Sequence, residues 1–186
     1  MINKITITDL DGAKKIAKGL TQSDHNVWIS ALDTDDQKDA EELRELFNGR
    51  GIDYHVEFFY DFDDVDCSEQ YAEKFKSKAP NKKHIANFID FLKPYVDSKD
   101  YLNIGVNCFA GISRSTALAI MAWVMSGIST REALENVLQE RWVAWPNLRI
   151  LRLASELIGI DMVSPVKNWK KECEGKIHTP HNCWNM

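Results

Sequence analysis

The chain has 186 residues, of which 44% are hydrophobic and 27% charged, as is typical of a single globular domain with a sizeable core. Its formal net charge of −5 gives no overall basic surface, which argues against duplex nucleic acid or an anionic membrane as a partner. Any anion that the protein binds must therefore be held by a local site.

The cysteines and the N-terminus bear on the cellular setting. Four cysteines at wide, irregular spacings do not suggest a disulfide framework, and a chain of this length does not need one. Residues 1–4 lack the features of a secretion signal, and the longest apolar stretch, around residues 117–125, is too short to span a bilayer. We expect a soluble, cytoplasmic protein that contacts neither membrane nor nucleic acid.

The first half of the chain predicts alternating strands and helices. Alternating or wholly apolar runs predict strands, whereas apolar residues on one face among charges predict helices. We expect strands over 4–8, 27–32 and 55–60, and helices over 11–19 and 35–47. An acidic segment at 61–66 then leads into a polar stretch up to residue 79, which is long for a connection and is therefore a candidate functional loop.

The second half continues this alternation. Pro80 suits the first turn of a helix, Ser129 begins the Ser-x-x-Glu pattern of a capping box, and Asn147 suits the N-cap of a last helix. Residues 115–126 are apolar nearly all round, as in a buried helix. We expect a strand over 101–107 and helices over 80–92, 115–126, 129–142 and 147–157.

This order of elements predicts an α/β fold, with a central, mainly parallel twisted sheet of four to five strands flanked by helices on both faces. We assign residues 1–160 to one domain. Residues 161–186 are polar and show no clear apolar period, which predicts an extension on the surface. This tail holds four residues of zinc-ligating types, but their spacing matches no common structural zinc module, so we expect no metal there. They are Cys173, His178, His181 and Cys183.

The segment between the strand at 101–107 and the buried helix carries the residues best suited to chemistry. Cys108 lies at the rim of a loop in front of a helix N-terminus, and both features favour an anion. Arg114 begins the helix and offers two parallel donors to a tetrahedral anion. Gly111 allows the backbone angles that turn successive N–H groups inward, and Ser115 is placed to hydrogen-bond the sulfur. We expect a nucleophilic thiolate and a phosphate pocket built from one segment.

The sequence Val-Asn-Cys-Phe-Ala-Gly-Ile-Ser-Arg-Ser-Thr at 106–116 resembles the signature loop of the dual-specificity phosphatases, which belong to the cysteine-dependent protein tyrosine phosphatase superfamily. It is most similar to the compact bacterial and viral members. Pro80 followed by His84, and Pro146 followed by Asn147, extend the resemblance over residues 26–160. The resemblance implies hydrolysis through a cysteinyl phosphate without a cofactor, with Cys108 and Arg114 as catalytic residues. It also implies substrate contacts from Phe109, Ala110, Gly111, Ile112, Ser113 and Arg114.

The chain departs from this family just before the cysteine. The family usually has a histidine there, whose hydrogen bonds help to stabilise the thiolate, and this chain has Asn107. An asparagine still donates hydrogen bonds but contributes no positive charge. We therefore assign Asn107, like Ser115, a supporting role.

The resemblance also implies a general acid on the acidic segment, because the leaving oxygen needs a proton. Aligning Phe62-Asp63-Asp64-Val65 with the Phe-x-Asp-Ile pattern of the compact family members selects Asp64. Asp61 and then Asp63 are the alternatives.

These features favour a phosphatase that acts on phosphorylated protein or peptide, with phosphotyrosine, phosphoserine and phosphothreonine all open as substrates. A catalytically weak or inactive module that binds phosphoprotein with the same loop is the alternative. A third possibility is another enzyme with a similar loop, such as a sulfurtransferase, an arsenate reductase, or a lipid or RNA phosphatase. However, residues 109–113 lack the basic side chains expected for phosphoinositides or triphosphates.

Overall fold

The structure is a computed structural model that describes residues 1–19, 25–63, 76–98 and 100–174. Within these ranges the strands are β1 (Ile2–Thr8), β2 (Val27–Leu32), β3 (Asp53–Phe58) and β4 (Leu102–Cys108). The helices are α1 (Leu10–Gly19), α2 (Gln37–Asn48), α3 (Lys82–Val96), α4 (Arg114–Met125), α5 (Thr130–Glu140), α6 (Leu148–Ile158) and α7 (Val163–Glu174). No helix within the described ranges combines the length and the apolar character that a bilayer span requires.

The four strands form one parallel sheet in the order β1-β4-β2-β3. Strand β4 lies between β1 and β2, so that Asn107 pairs with Thr8 on one side and Cys108 pairs with Ala31 on the other. Because the strands are parallel, their carboxyl ends meet at one edge of the sheet, where ligands bind in open α/β folds. The loop that follows Cys108 therefore begins in the middle of this edge.

Two apolar layers cover the two faces of the sheet. Alternate residues of β2 point to opposite faces, and Trp28 and Leu32 pack with the apolar sides of α1 and α2. Val27, Ile29 and Ala31 pack instead into the larger cluster that includes residues of α3 to α7. Helix α4 lies within this larger cluster, and ten of its twelve residues are buried. The predicted parallel α/β fold with helices on both faces and a buried helix after the loop is confirmed.

Two of the helix boundaries that differ from the sequence prediction have a clear local cause. Pro80 does not occupy the first turn of α3, because the Asn81 side chain caps this helix by accepting from the backbone N–H groups of Lys83 and His84. Helix α5 ends at Glu140 rather than at residue 142, since Arg141 has φ −136° and ψ 85°. The caps predicted at Ser129 and Asn147 are present.

The segment after residue 160 differs more strongly from the expected surface extension. Met162 and Val166 are fully buried in the larger core cluster, and the ring of Trp169 lies 5.5 Å from that of Trp145. Residues 162, 166, 169 and 173 recur at helical spacing, but they are sparse among charged residues, so the apolar period of this helix is weak in the sequence. Cys173 is buried in α7. The remaining members of the candidate zinc set, His178, His181 and Cys183, lie outside the described residues.

His84, at the N-terminus of α3, should make the folding stability of the protein depend on pH. Its Nδ1 accepts from Asn81 N at 3.4 Å, and its ring stacks on Phe59. Burial lowers the pKa of His84 from its ordinary value of 6.5, so the folded state favours the neutral ring. The contribution of the neutral His84 ring to the free energy of unfolding is therefore fully present above pH 6.5, and it is lost as the pH falls toward the folded-state pKa of His84.

Comparing urea unfolding of the wild type and His84→Gln between pH 5 and pH 8 tests this contribution. We expect the difference in unfolding free energy between the two proteins to shrink as the pH falls through this range. A difference that stays constant with pH would contradict the assignment.

Candidate active site

The loop between β4 and α4 surrounds the sulfur of Cys108. This cysteine is 1% exposed, and its Sγ accepts a hydrogen bond from the N–H of Gly111 at 3.2 Å. The hydroxyl oxygen of Ser115 lies 3.3 Å from the same sulfur. The sulfur also faces the region where α4 begins, and the partial positive charge of a helix N-terminus favours an anion. The sulfur is thus surrounded by groups that favour an anion.

Every carbonyl oxygen of the loop from residue 109 to residue 113 accepts a hydrogen bond from a group outside the loop. The donors are Leu10 N to Phe109 O (3.1 Å), Arg141 Nη2 to Ala110 O (3.2 Å), Arg141 Nε to Gly111 O (3.0 Å), Trp145 N to Ile112 O (2.8 Å) and Asn147 N to Ser113 O (3.2 Å). In a trans peptide the N–H points away from the carbonyl of the same peptide group. The N–H groups of residues 110–114 therefore turn away from these donors and toward the inside of the loop.

This inward arrangement leaves backbone donors available for a ligand. Within the described residues, the N–H groups of Ala110, Ile112 and Ser113 have no backbone acceptor. Converging N–H groups of this kind form a concave site for an anion. The loop thus provides a set of fixed donors above the Cys108 sulfur.

Gly111 permits this arrangement for two reasons. Its φ of +70° lies in the left-handed region, which glycine adopts without steric cost. A Cβ at this position would also lie 2.6 Å from the carbonyl carbon of Thr8 and 2.7 Å from the backbone nitrogen of Asp9. The loop packs so closely against the end of β1 that no side chain fits between them.

Arg114 is buried at the start of α4, with its guanidinium oriented by two acceptors. Its Nη1 donates to Asp33 Oδ1 and to the backbone oxygen of Phe59, both at 2.8 Å. Its buried Nε has no hydrogen-bond acceptor among the described residues, and the nearest carboxylate oxygen, Asp61 Oδ2, is 4.0 Å away. An unsatisfied buried donor is costly, and an oxyanion would satisfy it.

Asp33 follows β2 and lies partly buried beside this arginine. Burial raises the pKa of Asp33 above its ordinary value, although the positive charge of Arg114 acts in the opposite direction. Because the Asp33 carboxylate occupies only Nη1, it orients the guanidinium while leaving Nε for another acceptor.

Comparisons with known proteins find similarity in the fold but not in the sequence. No protein-family model and no curated protein matches the sequence. Among solved structures, PTP-2 phosphatase of Cydia pomonella superimposes with a TM-score of 0.53 at 16% identity, covering 83% of this chain and 85% of that one. Human DUSP28 gives 0.52 at 15% identity, covering 82% and 86%. PTPMT1 in complex with PI(5)P gives 0.53 at 12% identity, covering 89% and 93%. The chain has the dual-specificity phosphatase fold.

Asn107 stands where dual-specificity phosphatases usually have histidine, and its side chain is fully buried. Its Oδ1 accepts from Trp28 Nε1 at 2.8 Å and from Ser30 Oγ at 2.6 Å. Its Nδ2 has no partner among the described residues. The amide thus anchors β4 to β2, and the hydrogen-bond partners of the Cys108 sulfur are instead the Gly111 N–H, which donates to it, and the Ser115 hydroxyl oxygen, to which the thiol donates.

The acidic segment is only partly described. Asp61 Oδ1 accepts from Ser113 Oγ at 2.7 Å and from Asn147 Nδ2 at 2.8 Å, so this carboxylate is tied to the loop and to the cap of α6. Asp63 Oδ2 accepts from the backbone N–H of Leu148 at 2.8 Å. Asp64, selected from the sequence as the general acid, lies outside the described residues.

Two of the substrate-binding candidates lie at the mouth of the loop. Phe109 is 57% exposed and Ile112 is 38% exposed, so their side chains face outward from the loop that their backbone groups form. Three side chains around the loop were missed in the sequence: Asp33 beside Arg114, Arg141 on the loop carbonyls, and Asp9 beside Arg141. Asp9 and Asp33 directly follow β1 and β2, and position at the carboxyl end of a parallel strand was the available signal. Arg141 carried no comparable signal.

A matched pair of glycine substitutions tests the close approach of the loop to β1. Gly127 has φ +92° with open space around it, so Gly127→Ala meets only the backbone strain, about 1–2 kcal/mol. Gly111→Ala meets similar strain together with the contacts to Thr8 and Asp9. We therefore expect Gly111→Ala alone to abolish binding of inorganic phosphate or vanadate, measured by isothermal titration calorimetry. Equal anion affinity in the two variants would show that the loop tolerates a side chain there.

Proposed function

We propose that the chain is a cysteine-dependent phosphatase of the protein-tyrosine and dual-specificity type, hydrolysing phosphomonoesters on protein. The observation that supports this most strongly is the outward hydrogen bonding of the five loop carbonyls, which turns the loop N–H groups toward the Cys108 sulfur. A nucleophile surrounded by fixed donors matches the needs of phosphoryl transfer, in which positioning and electrostatic stabilisation supply most of the catalysis.

In the proposed first step, the Cys108 thiolate attacks phosphorus. The S–P bond forms while the bond to the leaving oxygen breaks, and that oxygen takes a proton from the general acid. The loop N–H groups and the free Arg114 Nε bind the equatorial oxygens, whose charge they stabilise in the transition state.

In the proposed second step, water attacks the cysteinyl phosphate. The P–O bond to water forms as the S–P bond breaks, and the carboxylate left by the general acid takes a proton from the water, which releases inorganic phosphate and regenerates both the thiolate and the acid. Ser115 Oγ, 3.3 Å from the sulfur, can donate to the departing thiolate. The chemistry needs no metal and no organic cofactor. It requires a reduced Cys108, which is consistent with a cytoplasmic setting.

We retain Asp64 as the proposed general acid. A general acid must reach the leaving oxygen of the substrate. The carboxylates of Asp61 and Asp63 already accept hydrogen bonds from Ser113, Asn147 and Leu148, which holds them against the protein. The alignment with the compact family members is the remaining argument for Asp64 over these two.

The surroundings of the loop favour a singly phosphorylated substrate. PTPMT1 was solved with PI(5)P, but in this chain Phe109, Ala110 and Ile112 add no cation to the loop. Asp33 and Asp61 border the arginine and would repel further phosphate groups. We therefore propose a phosphorylated protein or peptide, with phosphotyrosine, phosphoserine and phosphothreonine as candidate residues.

A phosphoprotein-binding module that turns its ligand over slowly or not at all is the second candidate. It is favoured by Asn107, whose side chain bonds Trp28 and Ser30 and adds no positive charge behind the nucleophile. Binding of phosphate or vanadate without hydrolysis would support this function.

Hydrolysis of aryl phosphates between pH 5 and pH 8, without metal and with reductant, tests the proposed mechanism. We expect Cys108→Ser to abolish turnover and Arg114→Lys to lower kcat/KM about 10²- to 10³-fold, because lysine lacks the two parallel donors. A wild type that binds vanadate but hydrolyses nothing would replace the phosphatase by the binding module.

The general acid is tested by the dependence of kcat on the leaving group. We expect Asp64→Asn to lower kcat about 10²-fold or more on phenyl phosphate and much less on esters of acidic phenols, which leave without a proton. Asp61→Asn and Asp63→Asn serve as matched variants. If one of these shows the steep leaving-group dependence instead, that residue is the acid and Asp64 is not.

A further inference from the structure

Arg141 lies outside the loop motif, yet its side chain holds the consecutive loop carbonyls of Ala110 and Gly111, as the Thr116 hydroxyl holds those of Ile112 and Ser113. It follows the last residue of α5, where the backbone leaves the helical conformation. Its Nε donates to Gly111 O at 3.0 Å and its Nη2 to Ala110 O at 3.2 Å. A planar guanidinium offers both donors in one rigid plane.

These two hydrogen bonds determine where two N–H groups point. The Ala110 carbonyl and the Gly111 N–H belong to one peptide group, as do the Gly111 carbonyl and the Ile112 N–H, and the peptide plane fixes them in opposite directions. The first of these N–H groups already reaches the Cys108 sulfur at 3.2 Å. Holding the Gly111 carbonyl outward turns the Ile112 N–H toward the same interior.

The arginine is itself fixed by its surroundings. Its Nη2 lies 4.0 Å from Asp9 Oδ2, while Asp9 Oδ1 accepts from the N–H of Gly12 at the start of α1. Leu10 N, next to Asp9, holds the preceding loop carbonyl at Phe109. The end of β1 and the end of α5 thus hold the outer side of the loop together.

We propose that Arg141 is a positioning residue for phosphate binding and phosphoryl transfer, acting through the Gly111 and Ile112 N–H groups without touching the substrate. This role rests on the proposed function, since it concerns the same anion site. The fork geometry of the guanidinium is the essential property, because a point charge cannot bond both carbonyls in plane.

Titration of inorganic phosphate into Cys108→Ser protein tests the proposal without turnover. We expect Arg141→Met in this background to weaken phosphate binding about 10- to 100-fold, less than the loss of a direct oxyanion donor. Arg141→Lys keeps the charge but not the fork, and we expect it to stay at least about tenfold weaker than Arg141. In the wild-type background, kcat/KM should fall by similar factors.

Arg131→Met is the matched control, because Arg131 lies on α5, the helix that Arg141 follows, is 86% exposed and forms an ion pair with Glu135 rather than with the loop. It should leave phosphate affinity and kcat/KM unchanged. As a local readout, the NMR shifts of the Gly111 and Ile112 amides on phosphate addition should shrink in Arg141→Met and persist in Arg131→Met. Thermal unfolding of each variant identifies any loss of fold.

The outcomes separate the two proposals. Absence of phosphate binding in Cys108→Ser with Arg141 intact would overturn the proposed function, and this role with it. Phosphate binding that Arg141→Met leaves unchanged would overturn only the role of Arg141. Full recovery by Arg141→Lys would also overturn it, because charge rather than orientation would then be sufficient.

Discussion

The planarity of the peptide group is the constraint on which the site depends. A loop of five residues cannot hold its own N–H groups inward, because it has no internal ladder of hydrogen bonds. Here the carbonyl of each peptide is bonded from outside, so the opposite side of each peptide is forced toward the sulfur. The anion site is therefore made by what surrounds the loop as much as by the loop itself.

The sheet order brings these outer donors together. Because β4 lies between β1 and β2, the loop after Cys108 meets the residues that follow both neighbouring strands. The end of β1 supplies Leu10 N and the close contact with Gly111, whereas the end of β2 supplies Asp33 for Arg114. The helices α5 and α6 close the remaining side. The sheet order thus places the binding site at the carboxyl end of β4, where the chain segments after β1 and β2 lead away from the sheet in different directions.

The parts of the site that depend on local sequence were predictable, and the long-range parts were not. Cys108, Gly111, Arg114 and Ser115 lie within eight residues, so a strand, a turn and a helix start were enough to bring them together. Asp33 is 81 residues from Arg114, and Arg141 is 30 residues from Gly111, so these contacts depend on the sheet order. The periodicity of apolar residues predicted the strands and most of the helices, but it did not predict the order of the strands in the sheet. It also missed α7, whose few apolar residues are separated by charges.

Helix α7 packs on the domain that the sequence predicted to end at residue 160, so the folded domain extends to residue 174. Trp145, whose N–H holds the Ile112 carbonyl, packs its ring near Trp169 of α7 and beneath the ammonium of Lys170, 4.8 Å from the ring centre. A chain cut after Ile160 would remove the contacts of Trp145 with Trp169 and Lys170, and would remove Met162 and Val166 from the larger core cluster. Helix α7 therefore belongs to the folded domain, and it supports the side chain of the residue whose backbone N–H holds the Ile112 carbonyl of the loop.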